Sequence, residues 1–107
     1  MTRNVVKVCV IYKQFLGVDF TVLSIGKDTI VTKVFYKSTD NVTPHKHLNE
    51  QNGYVISGKY KLISGEKEYF LSEGDTYSIP ANTEYSLQII KAGEVVDVLS
   101  PIRQDYL

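Results

Sequence analysis

The stretch Gly58–Ile90, GKYKLISGEKEYFLSEGDTYSIPANTEYSLQII, decides the fold. Within it Tyr60 and Leu62 alternate with Lys59 and Lys61, and Tyr85, Leu87 and Ile89 alternate with Glu84, Ser86 and Gln88. Successive side chains of an extended chain point to opposite faces, so this period of two makes strands with one apolar and one wet face. The runs are cut by turn-forming groups: SG at Ser57 and Gly58, SGE at Ser64 to Glu66, SEGD at Ser72 to Asp75, IPAN at Ile79 to Asn82, and KAGE at Lys91 to Glu94. Outward from this segment Val, Ile, Thr and Tyr recur in short runs, and no helical period stands out. About ten strands at this spacing have edges to hide, which predicts an all-β fold: a small antiparallel jelly-roll β-barrel.

A chain of 107 residues is the size of one domain, so residues 1–107 are read as a single unit. Its 12 basic and 12 acidic side chains cancel. No long-range field then favours a phosphate backbone or an anionic bilayer, and the expected partner is a small molecule, with no nucleic acid and no membrane. The lone cysteine, Cys9, lies in the apolar run VVKVCVIY (Val5–Tyr12) and is read as a small packed residue. It cannot form an internal disulfide, which suits a reduced compartment. Lys7 and Lys13 break that run, and nothing resembles a membrane span or a secretory leader, so a cytoplasmic location is expected.

Both histidines of the chain fall in TPHKHLNEQNGYVISG, Thr43 to Gly58. On an extended segment His45 and His47 present their imidazoles on one face, where two such rings can chelate one ion; the alternative is an exposed pair on an edge strand. Around them the spacing is H-x-H, three residues, Gln51, six residues, Gly58. Downstream, GDTYSIPANTEY (Gly74–Tyr85) reads G-D-x-x-x-I-P, four residues, Tyr85.

Together these stretches resemble the two signature motifs of the cupin superfamily, the first ending in Glu or Gln and the second in His. Two positions depart from the pattern: Thr39 replaces the glycine that opens the first motif, and Tyr85 stands where a third histidine is expected. The resemblance implies a cupin barrel with His45, His47 and Gln51 as metal ligands and Tyr85 as a possible fourth. Period two agrees, because 45, 47 and 51 share parity and Glu50 does not. Such a neutral, borderline-to-hard donor set suits a divalent transition metal, iron, manganese, nickel or zinc, held with modest affinity. Tyr85 has two readings, a ring filling the barrel or a metal-bound phenolate.

The tail EVVDVLSPIRQDYL (Glu94–Leu107) puts Asp97 between Val95 and Leu99 on one face, with Val96 and Val98 on the other. If Val96 and Val98 face the core, Asp97 points to water. If both faces are covered, Asp97 is desolvated and its pKa rises toward a range useful for proton transfer. This tail is similar to that of small cupins of the subset that includes the pectin-degradation cupin, which converts unsaturated uronates into linear keto forms. That resemblance implies Asp97 and Arg103 as catalytic residues, the acid moving a proton and the arginine holding a substrate carboxylate; Leu99 replaces an aromatic residue of the pattern. A metal-dependent enzyme of isomerase or ketonising type is the leading expectation. Its rivals are a non-catalytic small-molecule-binding cupin with a degraded metal site and an iron-dependent oxygenase. Relatives of this kind are commonly dimers, and the apolar first and last strands make a homodimer the expected state. Tyr60, Tyr69 and Tyr77 are read as core fillers with polar tips.

Overall fold

A computed structural model of the protein describes residues 11–15 and 17–102. Cys9 and Arg103 lie outside the described residues. Ten strands follow in order: β1 (Ile11–Phe15), β2 (Val18–Ile25), β3 (Ile30–Tyr36), β4 (Asn41–His45), β5 (Glu50–Val55), β6 (Lys59–Ser64), β7 (Lys67–Leu71), β8 (Thr76–Ile79), β9 (Tyr85–Lys91) and β10 (Gly93–Ser100). Among the described residues there is no helix, and so none long and apolar enough to cross a membrane.

All pairings are antiparallel and build two sheets. One has six strands in the order β1-β2-β3-β10-β5-β8 and the other four in the order β4-β9-β6-β7. The expected jelly roll is therefore present, but among the described residues no strand pairing joins the two sheets into a continuous cylinder. What unites them is side-chain packing: Val55, Ile79 and Val95 of the larger sheet share one core cluster with Tyr60, Leu62 and Leu87 of the smaller.

Alternation explains which residues enter that core. In β5 Gln51, Gly53 and Val55 are buried while Glu50, Asn52 and Tyr54 are exposed, and in β10 Val95, Asp97 and Leu99 are buried while Val96 and Val98 are half-buried on the other face. Tyr60 and Leu62 point inward from β6 and Tyr85 and Leu87 from β9, as their alternation requires. Tyr69 does not: it is 46% exposed beside Phe70 at 70%. β7 is the edge of the smaller sheet, where only Leu71 reaches the core, so alternation alone misreads this strand.

The connection after β5 is fixed by a close approach. Gly58 has φ +94°, and a Cβ there would lie 2.5 Å from the Tyr60 hydroxyl and 2.7 Å from the Lys91 carbonyl oxygen. Tyr60 in turn donates to the Ser57 carbonyl (2.8 Å) and is 1% exposed. Gly58→Ala combines left-handed strain with a clash against backbone and should lower stability by about 2–4 kcal/mol. Gly65→Ala, at φ +61° with nothing within 4 Å of the added carbon, should cost only about 1 kcal/mol. Urea unfolding midpoints of the two variants check the contrast.

Candidate functional site

β4 ends at His45, and the chain then turns through residues 46–49 before β5 begins at Glu50. This turn brings both histidines and Gln51 to one end of the space between the sheets. Gln51 is 7% exposed and faces inward, whereas Glu50 is exposed, so of the two only Gln51 turns its side chain toward the space between the sheets. Tyr85 is paired with His45 across β9 and β4, buried to 8%, and its ring centroid lies 4.5 Å from that of His45 and 5.9 Å from that of His47. The two imidazoles are themselves 5.9 Å apart.

Hydrogen bonds fix how these rings are presented. Nδ1 of His45 lies 2.9 Å from the Thr43 carbonyl oxygen, and Nδ1 of His47 lies 2.9 Å from that of Asn49. A carbonyl can only accept, so each Nδ1 carries the proton and each neutral ring has its lone pair at Nε2. Anchoring of one ring nitrogen by a backbone carbonyl is the support that metal-binding histidines use. The Asn82 backbone N–H, in the turn after β8, donates to the His47 carbonyl (2.8 Å) and holds that segment in place.

Gln51 is the centre of the network. Its Oε1 accepts from the Tyr85 hydroxyl (3.0 Å), and its amide also bonds to Asp97, so the NH₂ group faces the carboxylate. Oε1 lies 3.0 Å from His47 Nε2 as well. With Nδ1 protonated, two acceptor lone pairs then face each other, an arrangement that repels unless a proton or a metal cation lies between them. The donor chemistry thus fits a cation held by His45 Nε2, His47 Nε2 and Gln51 Oε1. It is a sparse set: among the described residues no cluster of three His, Cys, Asp or Glu side chains exists.

Asp97 is 3% exposed on the inner face of β10, so the reading in which it points to water is excluded. Its pKa is raised from 3.8 to about 6, because burial outweighs the hydrogen bonds from Tyr77 and Gln51 that favour the charged form. Tyr77 reaches it across a strand. Tyr77 pairs with Gly53, Gly53 pairs with Asp97, and Asp97 pairs with Thr32, a single inward row over β8, β5, β10 and β3. A Cβ on Gly53 would lie 2.1 Å from Cζ of Tyr77, so the tyrosine ring lies over the bare glycine and its hydroxyl donates to Oδ1 of Asp97. Tyr77's own pKa is pushed well above 10.0 by burial and by the neighbouring carboxylate.

Three residues complete the site besides those the sequence motifs single out: Tyr77, which by alternation alone is a core filler; Gly53, over which its ring lies; and Asn49, 7% exposed, which both anchors His47 and donates through Nδ2 to the Pro101 carbonyl. Gly53 was the available signal, since a lone glycine inside a strand marks the close approach of another group. Arg103, expected to hold a substrate carboxylate, lies outside the described residues.

His45, Gln51, Tyr85 and Asp97, with Tyr36 and apolar side chains of β1 to β4, line a small cavity between the sheets. A family model described as the cupin domain matches residues 34–99, the span that carries this whole site. The chain belongs to the cupin domain family. Among solved structures this cupin is similar to an RmlC-like cupin from Shewanella frigidimarina NCIMB 400 (TM-score 0.84, 19% identity, 92% of this chain and 89% of that one). It is also similar to KdgF from Halomonas sp. (TM-score 0.82, 25% identity, 90% and 92%) and to Pac13, a nucleoside dehydratase (TM-score 0.75, 17% identity, 90% and 79%). No curated protein sequence matches the chain.

Asp97 yields a pH-dependent stability. Its folded pKa is raised from 3.8 to about 6, so the fold is favoured while the group stays protonated, and that advantage is lost as pH climbs through this window. Relative to the parent, metal-free Asp97→Asn should gain roughly 3 kcal/mol between pH 3.5 and pH 7.5, about two pKa units' worth. Chemical denaturation of both proteins across that range checks the sign and size. Tyr77→Phe removes a donor to the charged form and should raise the Asp97 pKa further, which a carboxyl-carbon NMR titration reads directly.

Proposed function

We propose that this cupin is a metal-dependent enzyme of isomerase or ketonising type, acting by proton transfer on a small oxygenated metabolite such as an unsaturated uronate. The observation that carries the reading is a carboxyl group with a pKa near 6, buried beside a metal-compatible set of donors and lining the same cavity. His45, His47 and Gln51 would hold the ion, with the Tyr85 hydroxyl beside them. A divalent cation there supplies Lewis acidity toward a carbonyl or hydroxyl oxygen of the substrate.

The protein's own part is proton transfer. Asp97, as carboxylate, takes a proton from the carbon beside the substrate's carbonyl carbon; the C–H bonding pair becomes a C=C bond to that carbonyl carbon as the C=O π pair moves onto oxygen, and the protonated acid then returns the proton to another atom of the resulting enolate. A pKa of about 6 suits this traffic, since near neutral pH both forms are accessible. Tyr77 and Gln51 hold the carboxyl group in one orientation while it works. No oxidant or second substrate is required. The similarity to KdgF and the tail SPIRQDYL (Ser100–Leu107) support the uronate as substrate, and Arg103 would grip its carboxylate through a two-pronged hydrogen bond.

A second reading, a cupin that binds but does not transform its ligand, is favoured by one feature: the phenol and the amide bond to each other, and no carboxylate is among the presumed ligands. Metal analysis and turnover of an unsaturated uronate separate the two. The enzyme reading expects a stoichiometric divalent ion that is lost in His47→Ala, and a fall in kcat of at least about 100-fold in Asp97→Asn with the ion retained. Undiminished turnover in Asp97→Asn would remove the acid from its role, and a purified protein without ion or turnover would establish the binding-only reading.

A further inference from the structure

Of the described residues that line the cavity, His45, Gln51, Tyr85 and Asp97 belong to the network around the metal-compatible donors. Tyr36 lines the same cavity from another direction. It closes β3, whose inward row runs Ile30, Thr32, Val34 and Tyr36, and it pairs with Gly93 at the start of β10. Thr32 is level with Asp97, so the Tyr36 backbone stands about 13 Å further along the sheet. Its ring rests on the ring of Tyr60, itself 1% exposed and fixed, at 5.3 Å between centroids and 59°. Burial and the Asp97 carboxylate raise the Tyr77 pKa, and Tyr36 adds to that rise, so its phenol lies within electrostatic reach of the hydroxyl that donates to Asp97. Phe15 and Phe20 also face the cavity and bring only carbon to its wall. A ring that merely filled space at position 36 would need no hydroxyl; a tyrosine there puts a polar tip against the space that a ligand enters.

We propose that Tyr36 determines substrate choice: its hydroxyl bonds to a second oxygen of the substrate, on the side of the reacting carbonyl away from His45 and Gln51. The substrate class is then a hydroxylated ketone or oxo acid with two separate oxygen functions, and a ketone with oxygen at one end only is a poor ligand. Val34 lies between Thr32 and Tyr36 on the inward row, so the carbons that join the two oxygens rest on an apolar side chain. The inference deepens the function proposed above and rests on it for the placement of the reacting oxygen; an unsaturated uronate, which carries hydroxyls beyond its reacting centre, belongs to the class. Tyr36 takes no part in holding the ion or in orienting Asp97, whose donors are Tyr77 and Gln51, so its contribution is separable from theirs.

Two small uncharged ketones test it, so that Arg103 has no bearing on the contrast: 1-hydroxy-2-butanone and 1,4-dihydroxy-2-butanone, which differ only in the terminal hydroxyl. Binding to the full chain as purified is followed by NMR, including the ring Cζ signal of Tyr36. The expected result is about three- to tenfold tighter binding of the dihydroxy ketone, the worth of one hydrogen bond, with the Tyr36 signal shifting for that ligand alone. In Tyr36→Phe, which keeps the ring against Tyr60, this preference should vanish, while the affinity for 1-hydroxy-2-butanone and the titration of Asp97 stay as in the parent. Equal affinities in the parent, a preference that survives in Tyr36→Phe, or an equal loss of both ligands in that variant would each overturn the proposal, as would a failure of both ketones to bind. The Tyr36 signal is read in the parent and needs no variant. Turnover does not enter the measurement: binding contrast without turnover of a uronate would sink the enzyme reading alone, and turnover without the contrast would sink the role of Tyr36 alone.

Discussion

A carboxylic acid only 3% exposed on the inner face of a sheet draws its hydrogen-bond donors from the protein. Asp97 meets this requirement sideways, across its neighbouring strands. Tyr77 passes over the bare backbone of Gly53 to donate from one side, and the Gln51 amide donates from the same sheet. From Gln51 the chain of contacts runs on to Tyr85 and His47, from His47 to the Asn49 carbonyl, and from Asn49 to Pro101. One network thus ties β5, β8, β9 and β10 to the turn that carries His47, and it determines where the imidazoles stand.

The same network explains why the site is chemically soft-spoken. An amide oxygen and a phenol are neutral, so a cation here would be held mainly by two imidazoles, with the Asp97 carboxyl one hydrogen bond beyond Gln51. A carboxylate in the position of Gln51 would bind an ion more firmly but would also stand beside Asp97, raising the cost of ionising either acid. Glutamine avoids that repulsion and, by donating to Asp97, keeps the acid oriented.

Turn chemistry does comparable work at the periphery. Asn82, with φ 58°, ends the IPAN turn and donates its N–H to the His47 carbonyl, so the second motif of the family physically supports the first. Among the described residues no strand pairing joins the two sheets, which is why a large ring such as Tyr60, in contact with Tyr36 at 5.3 Å between centroids, can matter as much as any ladder bond.

Much of this molecule follows from local rules that act on a single strand at a time. Period-two alternation determined the inward faces of β6 and β9 and the inward side of Gln51 in β5, whereas His47, past the end of β4, is brought beside His45 by the turn; turn residues set where the strands end. The edge position of β7, which leaves Tyr69 exposed, is a property of the sheet and cannot be read from the strand. Whether Asp97 faced core or solvent stood open for the same reason, since β10 is apolar on both faces and only its neighbours decide which one is sealed. Tyr77, Gly53 and Asn49 acquire their roles through residues 20 to 52 positions away, and contacts of that span are created by strand pairing, a constraint that no short stretch of the chain contains.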